Sequence, residues 1–272
     1  MKMIMTHMMK IKIIVGSVII LTGALSFFLW ENFRSEEHQN NQENTTGIVL
    51  KETETVEQLQ REPAQEVPEE KIPEALPLPV SFLIPNVPFT VQAPLAQWND
   101  PIFQDACEEA SIIMAEAWVN GEVLTGEGVT NEVKKLVKFE KEQFGQAVDT
   151  SITDTAWMLD QYYGVTGEVH TDISITDIQQ ALVQHRIVIV PTDGRKLKNP
   201  NFKQPGPTRH MVVIIGYNQQ TKELITNDPG TRKGEGYRYP EMVLYDAILD
   251  YATGDHIPVT STAKVMLTVG KN

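Results

Sequence analysis

Apolar and polar positions alternate in three different ways along the 272-residue chain. Ile13 to Trp30 runs eighteen residues without a charge, after Lys2, Lys10 and Lys12 and before Glu31. That run sits at the lower edge of a spanning helix and exceeds an ordinary signal-peptide core. Thr22-Gly-Ala24 is only a weak cleavage candidate, so residues 1–30 are expected to form an uncleaved membrane anchor, with secretion after cleavage as the alternative. Lysines before the run and acids after it predict a cytoplasmic N-terminus and an extracytoplasmic remainder. Residues 31–80 carry no sustained apolar period and are dense in Glu, Gln, Asn, Thr and later Pro. They are expected to be a disordered acidic stalk, extended in its second half by Pro63, Pro68, Pro73, Pro77 and Pro79.

Residues 81–272 have the patterning of a folded domain. Val87-Pro-Phe-Thr-Val-Gln92 alternates like a short strand, and a Pro-rich loop with Trp98 follows. From Ala106 the positions Ala110, Ile113, Met114 and Ala117 recur at helical spacing, with Glu108, Glu109 and Glu116 largely off that face, so a half-buried helix is expected. Asp105 and Glu108 have the spacing of a capping box for it. Thr130 is expected to cap a helix over 131–144, Thr153 or Asp154 one over 154–163, and Thr176 with Gln179 one ending near His185. Thereafter the pattern turns to strands. Ile187-Val-Ile-Val190 is β-branched, 193–209 is a long polar loop, and Met211-Val-Val-Ile-Ile-Gly-Tyr217 is followed across a turn at 218–222 by Glu223 to Asp228, a predicted hairpin. A helix over 240–251 and a last strand over 263–269 complete an α+β order, helices first and an antiparallel sheet after.

Charge narrows the function classes. A net charge of −13 and no basic stripe argue against nucleic-acid binding, and eight of the excess negative charges lie in the stalk. About 190 residues suffice for a core without disulfides, and the single cysteine allows no internal one. His170, His185 and His256 have no metal-ligand spacing, no Gly-rich phosphate loop follows a strand, and neither metal nor cofactor is expected. Trp98, Trp118 and Trp157 are expected in the core or lining a pocket.

The chemistry centres on Cys107. It stands in the first turn of its helix, where free backbone N–H groups and the helix dipole favour a thiolate, although Glu108 and Glu109 oppose that. A thiol attacking a carbonyl needs a base, a group to fix the base's tautomer, and an oxyanion donor. His210 enters the first hairpin strand and Asp228 leaves the second, so both fall at the open end of the hairpin.

These residues carry a resemblance. Val-Pro-Phe-x-x-Gln92, Ala-Cys107-Glu-Glu-Ala-Ser111, His210-Met-Val-Val-Ile-Ile-Gly-Tyr217 and Asn227-Asp228-Pro-Gly230 resemble, in the same order, the bacteriocin-leader-peptidase-like (double-glycine peptidase-like) branch of the papain-like cysteine peptidases. The resemblance spans about residues 85–232 and implies a papain-like fold, Cys107 as nucleophile, His210 as general base, Asp228 as the orienting acid and Gln92 as the oxyanion-hole side chain. Two departures stand out. Gln92 lies fifteen residues before Cys107, a longer gap than the family commonly has, which makes Gln104 the alternative oxyanion donor; and Cys107-Glu-Glu replaces the Cys-Gly-Pro of many relatives. The expectation is a membrane-anchored, extracytoplasmic thiol hydrolase that cleaves a peptide or amide bond, acting on a peptide or protein of the cell envelope. The alternatives are an inactive peptide-binding module of the same fold and an acyl transferase.

Overall fold

The computed structural model describes residues 77–146 and 149–271. The expected anchor, and the expected stalk up to residue 76, lie outside the described residues; among those described, no helix is long and apolar enough to cross a membrane.

In chain order the elements are β1 (Ser81–Leu83), α1 (Pro101–Gln104), α2 (Cys107–Asn120), α3 (Gly126–Phe144), α4 (Ile152–Tyr163), β2 (Gly167–Thr171), α5 (Ile175–Val183), β3 (Arg186–Thr192), β4 (His210–Asn218), β5 (Glu223–Asn227), β6 (Tyr237–Pro240), α6 (Glu241–Ala247) and β7 (Val265–Gly270). The strands form one antiparallel sheet in the order β2-β7-β3-β4-β5-β6, and β1 joins the far end of β4 at Gly216–Asn218. Gly216 permits that junction, because a Cβ there would stand 2.6 Å from the Phe82 carbonyl oxygen. The expected α+β order therefore holds, helices first and the sheet after.

The central element is α2. The strand β4 and the helices α3 and α4 all pack against it, so its buried residues run almost continuously from Cys107 to Trp118, with only Glu116 less than fully enclosed. The single apolar stripe read from the sequence underestimates this enclosure: Glu108 and Glu109, expected outside the core, are 1% and 3% exposed. A pattern of apolar residues shows which face is buried first, but not that a second layer covers the remainder.

Capping residues differ in position from those expected. α2 begins at Cys107 with Ala106 as its N-cap and no side-chain cap, while Asp105 ends the short helix α1, so the Asp105–Glu108 capping box does not form. Thr125, not Thr130, caps α3 by accepting from the Gly128 N–H, and Ser151 caps α4 by accepting from the Asp154 N–H. Ser174 and Asp177 form the reciprocal box expected two residues later. In each case several hydroxyl or carboxylate residues compete within one turn, and tertiary contacts choose among them. Val87–Gln92 forms no strand and ends in a bend; Asn227 Nδ2 donates to the Val87 and Pro88 carbonyls, at 3.3 and 3.2 Å. Pro191 lies within β3 rather than ending it, and β1, β2 and β6 have no counterpart in the expected elements.

Candidate active site

The hairpin positions the basic half of the site. The register Val213↔Asn227 brings His210, first residue of β4, and Asp228, one residue beyond β5, to the same open end. His210 Nε2 lies 2.7 Å from Asp228 Oδ1, and the two side chains are 1% and 0% exposed. Asp228 Oδ1 also accepts from the Gly230 N–H at 2.9 Å, and Oδ2 accepts from the Tyr239 hydroxyl at 2.5 Å and from Asn199 Nδ2 at 3.3 Å. Three fixed donors leave the carboxylate only acceptor capacity, so the proton of the fourth contact must sit on His210 Nε2. Nδ1 is then the free base. Burial alone would raise the Asp228 pKa, yet the His210 charge and the bonds from His210, Tyr239 and Gly230 bring it below the ordinary value. Phe202 meets the imidazole edge-on at 5.2 Å between ring centres.

The thiol half comes from α2. Cys107 is buried at 6% exposure on a helix packed against β4, the strand that His210 opens, and the nearby Met211 backbone favours the charged form of its sulfur. Its own proton points elsewhere: Sγ donates to Glu108 Oε2 at 2.9 Å, and Glu108 Oε1 accepts from the Tyr251 hydroxyl at 2.6 Å. Burial pushes the Cys107 thiol well above its ordinary pKa, the Glu108 carboxylate adds to that by charge and by hydrogen bond, and the Met211 contact opposes it. Burial therefore acts against the helix-terminus effect that favours a thiolate.

A cavity of about 910 Å³ joins the two halves, lined by Cys107 and His210 together with Gln92, Gln104, Trp98 and Gly230. Gln92 is buried, and its Nε2 donates to the Phe103 carbonyl at 3.0 Å and to the Gln104 carbonyl at 2.7 Å, bracing the turn that delivers Cys107. The Gln92 backbone N–H bonds to the Pro229 carbonyl at 3.0 Å, tying this segment to the Asp228 loop. Gln104 directs its Nε2 to the Trp98 carbonyl, 3.0 Å away. Cys107, His210, Gln92 and the alternative Gln104 thus line one cavity, with Asp228 bonded to His210 and fully buried.

The remaining aromatic and histidine side chains have structural surroundings. Trp98 lines the cavity and Trp118 is in the core, whereas Trp157 is 38% exposed, stacked on Phe139 and against Phe144 on an outer face. His170 bonds to Thr268, His185 meets the Phe82 ring, and His256 bonds to Asp149. Sequence reasoning missed Asn199, Tyr239 and Tyr251. Tyr239 had a legible signal, the alternation Tyr237-Arg-Tyr239 close after Asp228; Asn199 lies in a loop without period, and Tyr251, expected to end a helix over 240–251, lies beyond the observed helix, which stops at Ala247.

Glu108, Glu109 and Glu140 are buried together, at 1%, 3% and 2% exposure. Burial, then neighbouring carboxylates, raises Glu109 well above its ordinary range, and Glu140 of α3 is lifted to about 8, chiefly by burial. Glu140 Oε1 has no hydrogen-bond partner among the described residues. A carboxyl whose pKa is raised on folding binds its proton more tightly in the native state, so stability is full below the unfolded pKa and falls as pH rises to the folded one. The domain is therefore expected to melt lower at pH 8.5 than at pH 5.5. Glu140→Gln should raise Tm at pH 8.5 by about 3 °C and leave it unchanged at pH 5.5, as read by circular dichroism melts.

The family model for the Peptidase_C39 like family matches residues 84–251. Among solved structures, a protein described as a C39-like peptidase from Bacillus anthracis is similar at 16% identity and TM-score 0.40, covering 71% of this chain and 98% of that one. Xylellain, a cysteine protease from Xylella fastidiosa, is similar at 14% identity and TM-score 0.32, covering 72% of this chain and 87% of that one. No curated protein matches the chain. The family match covers more than half of the chain and contains the whole hairpin, the cysteine helix and their shared cavity: the chain belongs to the Peptidase_C39 like family.

Proposed function

We propose that the chain is a cysteine peptidase that cleaves a peptide or amide bond through an acyl-thioester on Cys107. The observation that carries the reading is the buried His210–Asp228 pair, whose donors fix the free base at Nδ1, at the wall of a cavity that Cys107 also lines. A structural histidine has no need of an aspartate held in three further hydrogen bonds.

In the proposed reaction His210 Nδ1 takes the thiol proton and sulfur attacks the substrate carbonyl carbon. The oxyanion that forms is met by the unpaired N–H groups at the start of α2 and by the Gln92 amide, with Gln104 as the alternative donor. The C–N bond then breaks, the imidazolium gives its proton to the leaving amine, and water, deprotonated by the same nitrogen, releases the acid from the thioester. An amine in place of that water gives acyl transfer. Both N–H groups of the Gln92 amide are engaged at the Phe103 and Gln104 carbonyls, so Gln92 must release one of them to meet the oxyanion, whereas Gln104 gives one N–H to the Trp98 carbonyl and keeps the other. The charge pattern of residues 1–30 supports an anchor that holds the domain outside the cytoplasm, within reach of envelope peptides or proteins.

A second reading, a peptide-binding module without turnover, draws on the Cys107–Glu108 hydrogen bond and the raised thiol pKa. Alkylation of the full-length chain in detergent, followed by intact mass across pH 5 to 9, separates the two. The peptidase reading expects Cys107 to label at acidic pH, where a thiol of pKa about 8.5 does not, and His210→Ala to lose that labelling. A thiol that stays unlabelled until the domain unfolds, or that labels identically in both proteins, overturns it.

A further inference from the structure

Resting on the reading of Cys107 as nucleophile, we propose that Glu108 is a positioning residue for the thiol. Ionised, it takes the thiol proton contact away from His210; protonated, it donates to the sulfur and supports the thiolate. The thiol has one proton to give, and here it points at Glu108 Oε2 at 2.9 Å. While that bond stands, the proton is not on the path to His210 Nδ1. Tyr251 decides what protonation does. Its hydroxyl donates to Oε1 at 2.6 Å, which keeps Oε1 an acceptor and places any carboxyl proton on Oε2, the oxygen that faces sulfur. Neutral Glu108 then offers Cys107 an O–H donor across the same 2.9 Å contact, and a hydrogen bond to sulfur favours the charged form of a buried group.

The surroundings make the proton easy to keep. Burial comes first in raising Glu108 to about 7, while the bonds from Cys107 and Tyr251 lower it and the Asp149 charge raises it again. Glu109 on the same helix and Glu140 of α3 face the same interior. Arg209 and His256 are engaged with Asp149, at 3.2 and 3.0 Å. Across the cavity stands the His210–Asp228 pair. As pH rises through about 7, Glu108 ionises and the thiolate loses its donor and gains an adjacent negative charge. Reactivity is therefore expected to fall there, although a free thiol would become more reactive.

The test is the pH profile of iodoacetamide alkylation at Cys107 in the full-length protein, for wild type, Glu108→Gln, Tyr251→Phe and His210→Ala. In Glu108→Gln the amide nitrogen can face sulfur and its oxygen Tyr251 at every pH. Alkylation at pH 8.5 should then rise about tenfold over wild type and change little at pH 5.5. Tyr251→Phe removes a donor that favours ionised Glu108, so the fall should move to higher pH; this variant carries the test if Glu108→Gln does not fold. Profiles of the folded variants that match wild type within about twofold overturn the role of Glu108. If those match while His210→Ala abolishes the acid-side labelling, the peptidase reading stands and only this proposal fails; if His210→Ala also has no effect, the peptidase reading fails with it.

Discussion

Asp228→Asn is expected to lower peptide hydrolysis by about four orders of magnitude with the fold retained, the scale seen when an orienting aspartate elsewhere is made neutral. The argument follows from counting donors. Asp228 accepts from Gly230 N–H and His210 Nε2 at one oxygen, and from Tyr239 and Asn199 at the other. An asparagine must replace one of those oxygens with an NH₂ group. Placed toward His210, the amide donates to Nε2, forces the proton onto Nδ1 and removes the base; it also faces the Gly230 N–H, donor against donor. Placed toward Tyr239, it leaves the tautomer intact but confronts the Asn199 NH₂ and no longer supplies the charge that stabilises the imidazolium. The first orientation removes the base, and the second leaves the base in place without the charge that stabilises its protonated form. The Asp228 pKa is lowered by folding, so its contribution to stability is present above the unfolded value and lost as pH falls through the folded one. Asp228→Asn should therefore lose stability at pH 7 and approach wild type in acid. Turnover against a peptide pool, with circular dichroism melts at both pH values, reads the two effects separately. Retained turnover with a changed melt would make Asp228 structural.

The parts of this site legible in the sequence are those fixed by short-range geometry. A hairpin closed at 218–222 has one open end, and residues flanking its strands must meet there, so the positions of His210 and Asp228 along the chain suffice to pair them. Cys107 at a helix start is legible for the same reason, within one residue. What surrounds them is not. Tyr251 reaches Glu108 from 143 residues away, and Asn199 reaches Asp228 from a loop without period. The misplacement of Glu108 has a definite cause: a carboxylate beside an apolar stripe is ordinarily solvated, and only the simultaneous packing of β4, α3 and α4 on α2 encloses it. The most unusual feature of the site, a thiol bonded to the carboxylate next to it, is thus tertiary in origin although its two residues are neighbours in sequence.

Gly230→Ala is expected to cost about a hundredfold in turnover while the protein folds normally, a loss on the scale of a 1 Å misplacement of a reacting group. Gly230 is not in the left-handed region, so the backbone accepts an alanine. Space is the obstacle. A Cβ at this position would stand 2.8 Å from His210 Cε1, 3.1 Å from His210 Nε2 and 2.9 Å from Phe202 Cε1. The imidazole cannot yield freely, because Nε2 is held by Asp228 at 2.7 Å and Phe202 closes on the ring edge. Either the His210–Asp228 bond lengthens or the ring turns, and both spoil the aim of Nδ1 into the cavity. Gly234 offers the contrast. A Cβ there would fall 1.8 Å from the Asp228 carbonyl oxygen, a backbone collision that no side-chain movement relieves, so Gly234→Ala should lower Tm as well as turnover. Turnover and melting temperature measured on both variants distinguish displacement of the base from damage to the loop. A Gly230→Ala protein with wild-type turnover would mean that the imidazole position is not what limits the reaction.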